Sequence, residues 1–399
     1  MDVSLRKSHP QKHFMRIMCK SIYFLGMGDF WYEETKRSKT HKIVYAVYAV
    51  AVNGLLILNT LNELLANLRT DLTTKEKNDL LQFSMAHPAL SAKFVFLILK
   101  KKKAKVLIER LVEGSASIFT SLEIEKQSVK KVIWYIATLA VVTYGTLFTA
   151  TMDVFLTHKK EGIPLRIEVT LIPVPSQTGF FACILKYIVE FHWWLLVTNM
   201  LIVDGMAFTT LIFMSYKFRL VCMYFDELRI KTRSNLKTKD DKERAKEFQK
   251  SFITGIKLHE DALWCSRNVQ ICMGNIYGVQ IIETITLLVV CLIKLVNLER
   301  SMMFLLASFF YIACLLTLNG AYMMAAGDVT YEAAQLSDSM FHSGWELVRT
   351  SRQFRTLAVL AIQSSHRPVH MTAFGVITLS HSNLISVIRS SYSFFAVMY

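Results

Sequence analysis

Seven apolar stretches, each about long enough to cross a bilayer, limit most strongly how this 399-residue chain can fold. A hydrocarbon core about 30 Å thick requires about 20 apolar residues in a helix. Because backbone N–H and C=O groups cannot stay unpaired in lipid, each stretch is expected to be helical. We therefore predict an all-α, seven-transmembrane membrane protein. The predicted spans are residues 43–61, 80–99, 132–152, 180–214, 269–296, 302–326 and 372–399.

The net charge of +15 does not by itself indicate nucleic-acid binding. Lys and Arg collect at the cytoplasmic ends of membrane helices, and here the basic clusters interrupt the apolar runs. We expect membrane lipids as the surroundings and no nucleic acid as a partner. Residues 1–42 contain no compact apolar core followed by a small-residue cleavage site, so we expect no cleaved signal peptide.

The distribution of basic residues predicts an intracellular N-terminus and an extracellular C-terminus. With the N-terminus inside, the inner segments hold 35 Lys and Arg and the outer segments hold 7. The inner segments are also longer, so charge close to the span ends carries the inference. Lys42, Lys100, Lys131 and Lys217 all lie at predicted inner ends. This orientation is opposite to that of a G-protein-coupled receptor.

The fourth stretch is longer than a bilayer requires, since 35 helical residues extend about 52 Å. Phe218, Cys222, Phe225 and Leu228 continue its helical periodicity beyond the apolar run. We predict a helix that continues into the cytosol; a short span followed by a disordered charged loop is the alternative. The predicted regions are a cytoplasmic N-terminal segment (1–42), helices one to four (43–214), a cytoplasmic helical anchor region (215–268), helices five and six (269–326), a cytoplasmic anchor helix and linker (327–371) and the terminal helix (372–399).

Motifs that indicate catalysis or cofactor binding are absent from the sequence. It contains no GxGxxG, GxxxxGK[ST], GxSxG or HExxH pattern. His366 and His370 have the spacing of two metal ligands, but Pro368 lies between them and no third ligand is evident. We expect no enzyme activity, no cofactor and no metal site.

Ionisable side chains inside or near the spans are candidates for function, because charge is costly in hydrocarbon. They are Lys93, Lys186, Glu190, Asp204, Glu283 and Arg389. The terminal span is also unusually polar for a lipid-facing helix. Its polar residues either connect helices within one subunit or line a pore formed by several subunits. The candidate pore residues are Ser386, Arg389, Ser390, Ser393 and Val397.

Aromatic residues at helical spacing suggest a ligand pocket in the outer half of the bundle. A pocket for a small molecule needs apolar and aromatic walls with few polar groups. Ordinary packing between helices is an equally good explanation of these residues taken alone. The candidates are Phe83 and His87 on the second span, Tyr144, Phe148 and Met152 on the third, Tyr187, Phe191, Trp194 and Thr198 on the fourth, and Phe304, Ser308 and Tyr311 on the sixth.

The C-terminal stretch 351–399 resembles the end of insect odorant receptors. The sequence SSYSFFAV at 390–397 is its most specific part, and QSSHRP at 363–368 matches the approach to the last helix. Length, span number and inverted topology agree across the chain. The ending is more similar to an odour-tuned subunit than to the shared co-receptor.

The resemblance implies a ligand-gated, non-selective cation channel assembled as a heterotetramer with the odorant receptor co-receptor. It implies a small volatile organic ligand between the second, third, fourth and sixth helices, and a pore lined by the last helices with Val397 at the outer constriction. On this basis Trp194→Ala or Phe148→Ala is expected to change odour tuning. A sensory-neuron plasma membrane is the expected location.

Two other functions stay open on the sequence alone. A gustatory receptor of the same superfamily is one, although the terminal pattern typical of that group is absent. A secondary transporter is the other, with Asp204 and Glu190 as ion-coupling residues, although no inverted repeat is evident.

Overall fold

The computed structural model describes residues 9–34, 36–161, 169–172, 179–235, 240–297 and 302–398. These residues are predominantly α-helical, as predicted. The α-helices are α1 (Pro10–Phe24), α2 (Lys39–Ala66), α3 (Thr74–Leu99), α4 (Lys101–Glu113), α5 (Leu122–Glu161), α6 (Phe180–Asn235), α7 (Asp241–Asn297), α8 (Met302–Phe341), α9 (Arg352–Ser365) and α10 (His381–Met398). A 3-10 helix at Trp345–Leu347 and the strands β1 (Thr372–Ala373) and β2 (Ile377–Thr378) complete the described elements.

Side-chain caps mark where three of the helices begin. The Thr73 hydroxyl accepts a hydrogen bond from the Glu76 backbone N–H, and the Glu76 carboxylate accepts one from the Thr73 N–H. This reciprocal arrangement satisfies two N–H groups that have no partner within α3. Ser38 and Ser351 cap α2 and α9 in the simpler way, each accepting one backbone N–H.

Six of the described helices, α2, α3, α5, α6, α7 and α8, are long and apolar enough to cross a membrane. Helix α10 is not among them, because Ser, Asn, His and Arg side chains alternate with its apolar ones. Helix α8 packs along α5 and α6, and α7 packs along α3 and α6. The core of the molecule lies between these helices.

The predicted continuation of the fourth span is confirmed, since α6 is one helix of 56 residues. At 1.5 Å per residue it extends about 84 Å, more than twice the thickness of a hydrocarbon core. Its second half packs against the first half of α7, which in turn contacts α9. Phe252 lies at this junction, with ring centroids 5.5 Å from Phe225 and 5.5 Å from Phe354.

Helix α8 ends inside the region 327–371 that was predicted to hold an anchor helix and a linker. Its last residue is Phe341, and Gly344 follows with φ = 94°. A left-handed backbone conformation of this kind is common where a helix ends, and glycine adopts it without steric cost. Trp345 therefore lies in the 3-10 helix, where its indole N–H donates to the Phe341 carbonyl at 3.0 Å.

The prediction that the terminal helix begins at residue 372 is wrong, because α10 begins at His381. Residues 372–378 instead form a hairpin whose turn places Phe374 at φ = 52° and Gly375 at φ = 76°. The Gln270 side chain of α7 fixes this hairpin by donating to the Thr372 carbonyl and accepting from the Thr372 N–H, both at 2.8 Å. Tyr399 lies outside the described residues.

The amphipathic helix α1 packs beneath α4, α5 and α6. Met15, Cys19 and Ile22 are buried on its inner face. On its outer side the Lys12 ammonium lies 2.8 Å from the Glu33 carboxylate and 2.5 Å from that of Glu113. The N-terminal segment is thus joined to α4 by both apolar and ionic contacts.

Candidate functional site

A cavity of about 160 Å³ lies between α3, α5, α6, α7 and α8. An apolar cavity of about 150 Å³ is large enough to hold benzene, so this one suits a molecule about the size of one ring. The residues that line it are Asp79, Gln82, Phe83, Ala86, His87 and Leu90 of α3, Thr143, Thr146, Leu147, Ala150 and Asp153 of α5, Trp193, Leu196, Val197 and Met200 of α6, Glu283, Leu287, Cys291 and Lys294 of α7, and Phe304, Ala307, Ser308, Tyr311, Cys314, Leu315 and Leu318 of α8.

An aromatic group forms one side of the cavity. Phe83 stacks on His87 with ring centroids 5.4 Å apart and meets Trp193 edge-to-face at 5.8 Å. The Nδ1 atom of His87 lies 2.5 Å from a carboxylate oxygen of Glu63 on α2. This contact fixes the imidazole ring, and with it the position of Phe83.

An ion pair between α7 and α3 lies at one end of the cavity. The Lys294 ammonium pairs with the Asp79 carboxylate and lies 3.5 Å from the Gln82 amide oxygen. The same ammonium lies 5.7 Å from the centroid of the Phe304 ring, within the range of a cation–π interaction.

The other end of the cavity meets a buried charged network. Lys93 is fully buried, and its ammonium lies 2.8 Å from a Glu283 oxygen and 3.2 Å from an Asp204 oxygen. It also donates to the Gln280 side-chain oxygen. The Tyr322 hydroxyl donates to the second Asp204 oxygen at 2.7 Å. The network connects α3, α6, α7 and α8, and Glu283 is the member that lines the cavity.

The network changes the interpretation of the intramembrane charges. Lys93, Asp204 and Glu283 neutralise one another in part, because a buried charge needs a partner. Glu190 belongs elsewhere, since it accepts a hydrogen bond from the Trp194 indole at 3.0 Å. The sequence contained the signal for the network, in that one base and two acids fall within three separate spans, but not the pairing itself.

Five of the predicted ligand residues line the cavity, and they come from α3 and α8. They are Phe83, His87, Phe304, Ser308 and Tyr311. The other seven lie elsewhere: Tyr144, Phe148, Met152, Tyr187, Phe191, Trp194 and Thr198. Of these, Tyr144 hydrogen-bonds Thr198 at 3.0 Å and stacks on Trp194, so the three connect α5 to α6.

On α5 and α6 there is a physical reason why the predicted residues differ from those that line the cavity. Large aromatic side chains there point outward, with Phe148 62%, Tyr187 70% and Phe191 63% exposed. The cavity exists because the adjacent face of α5 carries small side chains, such as Thr146 and Ala150. The aromatic residues predicted from the sequence on α5 and α6 therefore lie largely on the outward surface of these helices. Trp193, one position from the predicted Trp194, is the aromatic residue of α6 that lines the cavity.

The candidate pore residues share an exposed stripe on α10. Ser386, Arg389, Ser393 and Val397 are exposed, and Ser390 is half-buried. The adjacent face presents the exposed apolar residues Ile385, Ile388 and Tyr392, while Val387 and Ser391 are buried against the rest of the chain. One helix thus carries a packed face, an exposed apolar face and an exposed polar stripe.

Comparison with known proteins relates most of the chain to one family. A family model described as 7tm Odorant receptor matches residues 73–392. The fold is similar to that of the insect olfactory receptor OR5 from Machilis hrabei in complex with eugenol, with a TM-score of 0.79 and 13% identity over 99% of this chain and 98% of that one. A second structure of the same receptor gives a TM-score of 0.76 and 13% identity over 100% of this chain and 98% of that one. No curated protein sequence matches the chain significantly.

Proposed function

Because the chain belongs to the 7tm odorant receptor family, we propose that it is the odour-binding subunit of a ligand-gated, non-selective cation channel. It works with a co-receptor in a heterotetramer at the plasma membrane of sensory neuron dendrites. The ligand is a small volatile organic molecule. The observation that carries this proposal is the cavity of about 160 Å³ between α3, α5, α6, α7 and α8.

The cavity suits a volatile ligand in both size and surface. Phe83, Trp193, Leu287 and Phe304 offer apolar contact area, and a ligand with few polar groups gains affinity mainly from dispersion and from leaving water. The similar receptor from Machilis hrabei has been solved with eugenol, a molecule of one ring. A ligand of this size agrees with the cavity volume.

The exposed stripe on α10 supports the channel part of the proposal. Polar side chains at membrane depth are tolerated where they face water or protein. In an assembly of several subunits, the exposed apolar face of α10 would pack on a neighbouring subunit and the stripe with Ser386, Arg389 and Ser393 would face a central pore.

The network around Lys93 supports a route from ligand to pore. Glu283 lines the cavity, and α7, which carries it, also packs against α10 and the hairpin before it. A ligand shifts a two-state gate only by its differential affinity for the two states. We infer that repacking around α7 favours the open arrangement of α10.

The test is odour-evoked current in cells that express the chain with and without the co-receptor, against a broad panel of volatiles. We expect inward cation current only when both subunits are present. An epitope tag at the C-terminus, read on intact cells, controls for surface expression and tests the predicted orientation. Current without the co-receptor, evoked by soluble tastants, would favour a gustatory receptor. Substrate accumulation without conductance would favour a transporter. Either result would overturn the proposal.

A further inference from the structure

The wall of the cavity carries charged side chains among its apolar ones. Three carboxylates line it, those of Asp79, Asp153 and Glu283, but Lys294 is the one lysine among the lining residues. Lys294 pairs with Asp79 at one end of the cavity. Glu283 lies eleven residues earlier on α7, toward the opposite end, where its carboxylate is a charged acceptor that a bound molecule can meet away from this ion pair.

The electrostatic environment of Glu283 is unbalanced. Its carboxylate shares the Lys93 ammonium with Asp204, so two acids have one base between them. Asp204 has a second partner in the Tyr322 hydroxyl, whereas in the described part of the chain the Glu283 carboxylate is paired with Lys93 alone. An ionised carboxylate offers about four acceptor positions. Glu283 can thus accept further hydrogen bonds, and it is the acid of the network that lies on the cavity wall.

The middle of the cavity is aromatic and apolar. Glu283 and Lys294 are eleven residues apart on α7, a helical rise of about 16 Å. Leu287 lies between them on the same helix, and Phe83 and Trp193 contribute the facing rings. A ring-sized molecule in this middle section places a short polar substituent at Glu283. Aromatic faces also stabilise a cationic group next to them.

We propose that the cavity selects a ring-sized odorant that carries one O–H or N–H donor, and that this donor hydrogen-bonds the Glu283 carboxylate. The inference rests on the proposed function and specifies its ligand class. A hydrocarbon of equal size leaves the buried carboxylate with Lys93 as its partner and gains contact with the rings alone. An alcohol or a protonated amine adds a hydrogen bond to a charged acceptor, which is about twice as strong as one between neutral groups.

Three molecules of equal size test the proposal without any mutation. They are 2-phenylethanol, 2-phenylethylamine and propylbenzene, applied to cells that express the chain with the co-receptor. We expect the alcohol, the amine or both to activate at concentrations about tenfold or more below propylbenzene, as one charged hydrogen bond predicts. The more potent of the two identifies the donor. Propylbenzene at equal or higher potency overturns the inference.

Two matched variants test the role of Glu283. Glu283→Gln removes the charge at the cavity wall, and Asp204→Asn removes the other partner of Lys93, which does not line the cavity. We expect Glu283→Gln to reduce the potency advantage that the alcohol and the amine have over propylbenzene, and to reduce it more for the amine than for the alcohol. Asp204→Asn should preserve that advantage. A retained propylbenzene response and surface labelling show that each variant is folded. An equal loss of this potency advantage in both variants overturns the proposed contact between the ligand and Glu283.

Failure of this inference is distinguishable from failure of the proposed function. Silence to all three aromatic molecules, with current evoked by other volatiles, overturns the ligand class alone. Absence of current for every volatile, with both subunits at the surface, overturns the proposed function as well.

Discussion

The ring of Phe374 occupies the space that a side chain at Gly278 would need. A Cβ atom at Gly278 would overlap carbons of this ring, and the Phe374 N–H donates to the Gly274 carbonyl one turn earlier on α7. Gly274 and Gly278 therefore form a groove into which the hairpin before α10 docks. The groove couples α7, which lines the cavity, to the segment that leads into α10, and α7 also packs directly against α10.

Gly278→Ala is predicted to displace the hairpin and to reduce odour-evoked current. Overpacking of a tight contact costs about 1–3 kcal/mol, and here the strain falls on the segment that sets the start of α10. The measurement is maximal current relative to surface labelling. Gly54→Ala is the control, since in the described part of the chain a Cβ at Gly54 would meet nothing within 4 Å apart from the backbone of its own helix. If the double variant Gly278→Ala, Phe374→Ala gives more current than Gly278→Ala alone, the ring of Phe374 is the cause of the loss. Equal current in all variants would contradict the prediction.

Lys93→Met is predicted to destabilise the protein strongly. It leaves Asp204 and Glu283 without their shared buried cation, and breaking a buried ion pair in this way costs about 3–5 kcal/mol. We expect a lower midpoint of thermal unfolding for the detergent-solubilised chain and less chain at the cell surface. Adding Asp204→Asn removes one of the uncompensated acids and should restore part of the loss. A double variant as unstable as the sum of both single changes would argue against the network.

The sequence predicts the helices of this protein better than it predicts their orientation. Long apolar runs identify α2, α3, α5, α6, α7 and α8, because length in a bilayer is a property of each stretch alone. Which face of a helix meets a cavity depends on its neighbours. Trp193 and Trp194 are chemically identical in the sequence, yet only Trp193 lines the cavity. The hairpin at 372–378 was missed for a similar reason, since Gln270, which fixes it, lies 102 residues earlier.

Leu147 and Phe148 are adjacent in α5 but are predicted to differ in their effect on tuning. Leu147 is 1% exposed and lines the cavity, whereas Phe148 is 62% exposed and does not. Leu147→Ala enlarges the cavity, so the order of potency in a homologous ligand series should move toward larger members. Phe148→Ala should leave that order unchanged, whereas the sequence alone predicts that this substitution changes odour tuning. The comparison uses ratios of half-maximal concentrations, because these are independent of expression level.

The Lys12–Glu113 contact predicts a loss of stability in acid. Burial alone would raise the pKa of Glu113, but hydrogen bonds from Lys12 and Tyr32 outweigh it and hold the pKa below its ordinary value. The pKa of Glu33 is lowered mainly by its hydrogen bond with Lys12. A carboxylate whose pKa is lower in the folded state stabilises the fold above its unfolded pKa of about 4.3 and loses that contribution as the pH falls through the folded value.

Thermal unfolding of the solubilised protein between pH 7 and pH 3 measures this contribution. We expect a constant midpoint down to about pH 5 and a decline below it. Glu113→Gln should lower the midpoint at pH 7 and make the decline shallower. Glu109→Gln, at an exposed position of the same helix α4, is the control. Identical profiles for the two variants would show that the ion pair does not contribute.

Arg389→Gln is predicted to raise the cation conductance of the assembled channel. If the exposed stripe of α10 faces the pore, Arg389 places a positive charge beside the path of permeating cations. Two unit charges 4 Å apart in water repel by about 1 kcal/mol, so removing one changes the passage rate by up to about fivefold. The effect should shrink at high ionic strength, because salt screens exposed charges.

Single-channel recording gives the conductance directly. Arg389→Lys keeps the charge and should keep the wild-type value, while Arg355→Gln, at an exposed position of α9, controls for loss of an arginine outside the stripe. Unchanged conductance in Arg389→Gln would place this face of α10 away from the pore.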